Sequence, residues 1–232
     1  MKKILFLLFL VVSSVFAYEV YSPDDYKYQF SGDKLLFVID FSNSMTAYLN
    51  NQTKANQVKE LMSKILPQIS PETNVGLRVY GHTCNFIAYN ACRSSELVVP
   101  LGLNNSVKIA TELHRLRPRG MTPITYSLKQ AVKKDLNGFD GVKHIILLTD
   151  GGENCDESPC EYAIALMKQR RDIKIDVIAF DVEGEDDLAQ LKCTADVTGG
   201  RFSEAATKAE LFKTMEDMIL PHIKEVEAVI LD

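Results

Sequence analysis

Three short stretches, far apart in the chain, hold oxygen-bearing side chains at spacings that suit a hard metal ion. Asp40-Phe41-Ser42-Asn43-Ser44 places a carboxylate and two hydroxyls at alternate positions. Gly120-Met121-Thr122-Pro123 offers a third hydroxyl, and Asp150-Gly151-Gly152 a second carboxylate. Asp40, Ser42, Ser44, Thr122 and Asp150 present oxygen only, without thiolate or imidazole. Such a set suits Mg²⁺, with Mn²⁺ or Ca²⁺ as alternatives, rather than zinc or copper. Two carboxylates bring a divalent ion close to neutrality, and water fills the coordination places that the protein leaves open. An Asp or Glu carboxylate on a protein partner could replace one such water. The bland alternative is local, with Ser42 and Ser44 capping the following helix and Asp40 bracing the turn.

Whether these stretches meet depends on the elements that carry them. Leu35 to Ile39 is a short apolar run ending at Asp40. Lys143 to Leu148 is another, ending at Thr149-Asp150, and Ile175 to Phe180 is a third, ending at Asp181. Continuous runs of this length suit strands buried on both faces of a parallel sheet. Val75 to Tyr80 and Leu97 to Leu101 read as an antiparallel pair, and Arg201-Phe202-Ser203 as a sixth strand. Between them, Val58, Leu61, Met62, Ile65, Leu66 and Ile69 recur along one helical face. Ile124 to Val132, Ala163 to Met167, a helix opened by Glu185-Asp186-Asp187, and the segment 208–227 supply further helices. The alternation predicts a doubly wound, Rossmann-like α/β domain. Its sheet is mostly parallel and six-stranded, with one antiparallel edge strand and helices on both faces. In such a sheet the first and fourth strands adjoin at the switch point, and ligands bind outside the carboxyl ends. The five oxygen donors then converge.

At this level the motifs resemble a known family. Asp40-x-Ser42-x-Ser44, Gly120-x-Thr122-Pro123-Ile124 and Thr149-Asp150-Gly151, in this order, are similar to the metal-ion-dependent adhesion site (MIDAS) of von Willebrand factor type A domains. The resemblance covers roughly residues 33–225. It implies Mg²⁺ held by Ser42, Ser44 and Thr122, with Asp40 and Asp150 bonding directly or through water. It also implies binding of a protein ligand rather than catalysis, and a last helix, within 208–227, that shifts when the site changes ligands. The cysteine-bearing stretches 84–92 and 155–160 resemble those of secreted bacterial members.

The rest of the chain sets the context. Its 232 residues are 46% hydrophobic and 25% charged, which excludes a disordered or low-complexity chain. A net charge of −5 argues against a nucleic-acid partner, which would require a basic face. Residues 1–17 read as a secretory signal peptide: Lys2-Lys3, an apolar run, then Val15 and Ala17 before a cleavage site. An arm (18–32), the main domain (33–227) and a tail (228–232) follow. The mature chain is expected in the periplasm or outside the cell of a bacterium, without a stable membrane span. Oxidising conditions make two local disulfides the simplest cysteine pairing, Cys84–Cys92 and Cys155–Cys160, with Cys193 single, although spacing does not settle connectivity. A zinc site from His82, Cys84 and Cys92 is the sharper alternative. Glu153, Asp156 and Glu157 either widen an acidic rim or are solvated. Asp181 ends the next strand, beside the site or merely in a loop. The basic run Arg115 to Arg119 is a solvated helix end or a contact for an acidic partner. A metal-assisted hydrolase is the competing function, but the chain lacks G-x-S-x-G and H-E-x-x-H.

Overall fold

The computed structural model describes residues 33–83 and 87–222. The expected signal peptide, arm and tail, the end of the 208–227 helix, and Cys84 lie outside the described residues. Six strands form one sheet: β1 (Lys34–Asp40), β2 (Asn74–Tyr80), β3 (Ser95–Gly102), β4 (Lys143–Thr149), β5 (Ile173–Phe180) and β6 (Phe202–Ala205). Their spatial order is β3-β2-β1-β4-β5-β6. All neighbours run parallel except β2 and β3, so β3 is the antiparallel edge, as the sequence implied.

The longer helices are α1 (Lys54–Ile65), α2 (Ser106–Arg115), α3 (Ile124–Gln130), α4 (Pro159–Met167), α5 (Glu185–Thr198) and α6 (Lys208–Ile219). A two-strand ribbon, Tyr48–Leu49 with Gln52–Thr53, precedes α1. Side chains alternate across a strand, and β1 divides them cleanly. Leu35, Phe37 and Ile39 face one core with Val58, Leu61, Ile109, Leu211 and Met215 from α1, α2 and α6. Leu36 and Val38 face a second core with Ile124, Leu128, Leu166 and Leu191 from α3, α4 and α5. Between Lys34 and Asp40, β1 is therefore wholly apolar.

From β1 the chain passes to β2 on one side, and from β4 to β5 on the other. The crevice lies between the carboxyl ends of β1 and β4, where open sheets of this kind bind ligands. The two ends of the described chain meet at the opposite pole. Asn74 N donates to Asp33 O (2.7 Å), Ser70 N donates to His222 O (2.8 Å), and His222 Nδ1 lies 3.5 Å from Asp33 Oδ2. Burial pushes the His222 and His144 imidazoles below the usual histidine range.

One buried ion pair fixes the helix that follows Thr122. Arg78, on β2, gives two hydrogen bonds to Asp135 just beyond α3, at 2.5 and 2.8 Å, and a third to Ser95 Oγ at 2.9 Å. Both charged groups are buried. Bidentate geometry and the third bond supply the contacts that two desolvated charges require.

The cysteine pairing differs from the local one expected from spacing. Cys92 is bonded to Cys155, and Cys160 to Cys193, so Cys193 is not single. The reason lies in helix α4. Ser158 caps it through a bond from Glu161 N, and Pro159 starts it, so Cys160 sits in the first turn beside α5, which carries Cys193. Cys155 stays in the loop, against the turn that carries Cys92. In the chain-entropy model a link across 63 residues withdraws on the order of 4 kcal/mol from the unfolded state. A loop of eight residues would withdraw only about 2.5 kcal/mol.

Two outcomes test this architecture. Non-reducing peptide mapping is expected to recover the 92–155 and 160–193 linked peptides; a Cys155–Cys160 peptide as the main species would contradict it. Arg78→Met, which strands a buried Asp135 carboxylate, is expected to cost about 3–5 kcal/mol in urea unfolding.

Candidate metal centre

Asp40 is the point where an apolar strand meets the crevice. It is fully buried. Its Oδ1 accepts from Ser42 N at 2.6 Å, and its Oδ2 accepts from Thr149 Oγ1 at 2.8 Å. Thr149 is the last residue of β4, so this bond joins the ends of the two central strands. Ser42 stands at the start of a one-turn 3-10 helix (Asn43–Thr46), but its side chain makes no capping bond. Its Oγ lies 2.9 Å from Ser44 Oγ, and Ser44 Oγ donates to Asp150 Oδ1 at 2.6 Å. Capping is therefore not what occupies the two serines; they face each other and the second carboxylate.

Backbone contacts bring in Thr122. Ser42 and Gly120 form an isolated parallel bridge, through Asn43 N donating to Gly120 O at 2.9 Å. Gly120 N in turn donates to Gly81 O at 2.7 Å. The approach demands glycine. A Cβ on Gly81, at φ +70°, would lie 2.6 Å from the Ser42 Cα and 2.7 Å from Met121 O, and one on Gly120 would lie 2.6 Å from Thr83 O. From the other side, Thr122 N donates to Asn154 Oδ1 at 2.7 Å and Asn154 N donates to Thr122 O at 3.4 Å. Thr122 is buried between these loops. Asp40, Ser42, Ser44 and Asp150 are thus joined by direct or single-step hydrogen bonds, and the Thr122 backbone is stapled to the same pair of loops.

The electrostatics of the centre are those of carboxylates short of positive charge. Burial, then the nearby Asp150 carboxylate, pushes Asp40 up to about 7 against its hydrogen bonds from Ser42 and Thr149. Burial likewise raises Asp150, opposed by Ser44 and Lys54. Asp150 Oδ2 is buried, accepts no well-formed hydrogen bond, and lies 3.2 Å from Lys54 Nζ.

The donor set fits a small hard cation. Magnesium bonds of about 2.0–2.1 Å at right angles put neighbouring ligand oxygens about 2.9 Å apart. The Ser42 and Ser44 hydroxyl oxygens already stand at 2.9 Å. Among the described residues no three His, Cys, Asp or Glu side chains gather for a metal, so hydroxyls are needed to complete any set here. The zinc alternative is overturned, because Cys92 is tied to Cys155 and His82 Nε2 lies 3.0 Å from Glu96 Oε2.

Several residues have roles that sequence reading assigned differently or missed. Glu153 is a brace: its Oε2 accepts from Thr125 N at 2.7 Å and its Oε1 from Cys155 N at 3.0 Å. Pro123, at the N-cap of α3, gives no side-chain cap, so Glu153 does that work from another loop. Burial raises its carboxyl. Glu157 pairs with Lys129 at 2.5 Å. Arg115 pairs with Glu112, and Arg117 donates to the backbone carbonyls of His114, at the end of α2, and Leu116. Asp181 pairs with Lys54 at 2.9 Å. Lys54 itself was not foreseen, yet it carries a signal: it is the first residue of α1, where a helix dipole disfavours a cation.

Comparisons with known proteins bear on the fold. A model of the von Willebrand factor type A domain matches residues 34–219. The Bacillus subtilis (strain 168) protein YwmC, itself uncharacterized, is 30% identical over 190 residues, covering 79% of this chain and 82% of its own length. Among solved structures, the BatB protein of Bacteroides thetaiotaomicron superposes with a TM-score of 0.62 at 18% identity, over 82% of this chain and 98% of that one. A mussel byssus protein, proximal thread matrix protein 1 with a zinc-occupied MIDAS motif, gives 0.62 at 22% identity, over 82% and 46%. The pilus adhesin SpaC of Lactobacillus rhamnosus GG gives 0.65 at 14% identity, over 84% and 31%.

The Glu153 brace yields a measurable expectation. Glu153→Ala removes a cap from another loop and is expected to lower stability by about 1–2 kcal/mol in denaturant unfolding. An unchanged midpoint would show that α3 starts without it.

Proposed function

The chain belongs to the von Willebrand factor type A domain family, and from that premise we propose that it is an exported, non-catalytic binding module that grips an acidic residue of a protein partner through a divalent cation. Ser42, Ser44 and Thr122 hold the ion, and Asp40 and Asp150 complete its surroundings directly or through water. When bound, the ion supplies a Lewis-acidic point at the rim of the crevice to which an outside Asp or Glu carboxylate can add. Mg²⁺ is the favoured ion, with Mn²⁺ or Ca²⁺ as alternatives.

The observation that carries this reading is the oxygen chain Ser42 Oγ, Ser44 Oγ, Asp150 Oδ1, at 2.9 and 2.6 Å. It closes around a carboxylate, Asp40, which burial holds above its ordinary range. The protein's own part is positional. Asp40 and Asp150 are fixed at the ends of adjacent strands, and the serine hydroxyls are held between them. The loop-closing disulfides support export, because such bonds persist in oxidising compartments. The leader read at residues 1–17 points the same way, to the periplasm or beyond. Among the described residues no helix is long and apolar enough to cross a membrane. An adhesin and a matrix protein stand among the structural neighbours, in keeping with a binding role.

Titration calorimetry of the mature protein with Mg²⁺ is expected to show one-site binding that Asp40→Ala abolishes. Pull-down from the native envelope in Mg²⁺ is expected to release a protein partner on addition of EDTA. Partner binding that survives both EDTA and Asp40→Ala removes the cation bridge. Turnover in a phosphatase and esterase screen, abolished by Asp150→Ala, would replace binding with metal-assisted hydrolysis.

A further inference from the structure

We infer that Lys54 is a tethered cation built into the metal centre, whose fixed charge beside Asp150 sets how tightly the site holds a divalent ion. The inference rests on the metal-binding reading above and concerns a residue outside its ligand set.

Three oxygens converge on the Lys54 ammonium: Asp181 Oδ2 at 2.9 Å, Asp150 Oδ2 at 3.2 Å and Asp181 O at 3.2 Å. They surround it as they would a small cation. The side chain is 9% exposed, and the Asp150 side chain is fully buried. Asp181 reaches this position through a left-handed backbone, φ +56°, at the end of β5. An aspartate tolerates that conformation better than most residues, at some cost. Lys54 opens α1 with no acidic residue in the first turn, so the helix dipole opposes its charge. Both local costs are offset by the same contact, a sign that the contact rather than local preference places these residues.

The contact has two effects on Asp150. It divides the carboxylate, with Oδ1 turned to Ser44 and Oδ2 to Lys54, so one oxygen is presented to the serine pocket. It also supplies one positive charge against Asp40, Asp150 and Asp181. With all three carboxylates ionised, as a bound divalent ion would favour, they and the ammonium carry a net charge of minus two, which that single ion neutralises. Without the ammonium, the same carboxylates would attract a divalent ion more strongly, and in its absence would repel one another. A lysine that served only to pack α1 against the sheet would act in the reverse sense, since its loss would disorder the site and weaken binding.

The test is Mg²⁺ titration calorimetry and thermal unfolding of the mature chain, for wild type, Lys54→Met, Lys54→Arg and Asp181→Asn. Lys54→Met, which keeps the length and removes the charge, is expected to tighten Mg²⁺ binding about tenfold or more. It should also lower the metal-free Tm and widen the rise in Tm on adding Mg²⁺. Lys54→Arg, which keeps the charge, should stay near wild type. Asp181→Asn, which leaves the ammonium to Asp150 alone, should weaken binding. Mg²⁺ affinity of Lys54→Met equal to or below that of wild type overturns the inference while leaving the metal site intact. If Lys54→Met does not fold, unchanged affinity in Asp181→Asn overturns it instead. Absence of Mg²⁺ binding in both wild type and Lys54→Met overturns the inference together with the metal reading, whereas binding gained only in Lys54→Met supports the inference.

Discussion

The structure turns on the desolvation of two carboxylates at the ends of adjacent parallel strands. Asp40 and Asp150 are carried out of water by the sheet that ends in them, and both resist ionisation there. A buried charge is tolerated only where hydrogen bonds and counter-charge meet it. Much of what surrounds the crevice can be read as a response to that demand. Ser42 N and Thr149 Oγ1 serve Asp40, Ser44 Oγ serves one oxygen of Asp150, and Lys54 faces the other.

Around this centre the loops are tied rather than loose. Gly81 and Gly120 let three chain segments approach to backbone contact. Asn154 and Glu153 pin the Thr122 loop and the first turn of α3 from the loop that follows Asp150. Cys92–Cys155 ties that loop to the β2–β3 connection, and Cys160–Cys193 joins α4 to α5. Donors held by covalent and hydrogen-bonded neighbours need little reordering when a ligand arrives, which favours affinity and geometric selectivity.

What could be read from the chain and what could not follow a physical division. The apolar runs ending at Asp40, Asp150 and Asp181 announced buried parallel strands, because a strand covered on both faces has no polar alternation to hide. Residues at the ends of such runs are placed by the sheet, so the proximity of Asp40, Ser42, Ser44 and Asp150 was legible from local pattern and strand order. The disulfides were not, since Cys92 meets Cys155 only through the arrangement of whole loops, and short spacing misled. Lys54 was missed, and Glu153 was read as part of an acidic rim or a solvated loop, for the same reason. Each acts across the crevice, on a partner far away in the chain. Lys54 did leave a trace, a cation at the wrong end of a helix dipole.

The two ends of the described chain share one pole. Asp33 and His222 lie side by side beneath the sheet, and β1 carries the chain from there about 20 Å to Asp40 at the other pole. Load applied at Asp33 or at His222 therefore pulls from the underside. A lattice, wall polymer or larger polypeptide fastened there would hold the domain by its foot, with the oxygen-rich mouth turned away from the anchorage. Under tension, load passing between the two ends would run through contacts such as Ser70–His222 and Asn74–Asp33 before it reached the crown of the sheet. The length of the sheet thus separates the two described ends from the crevice.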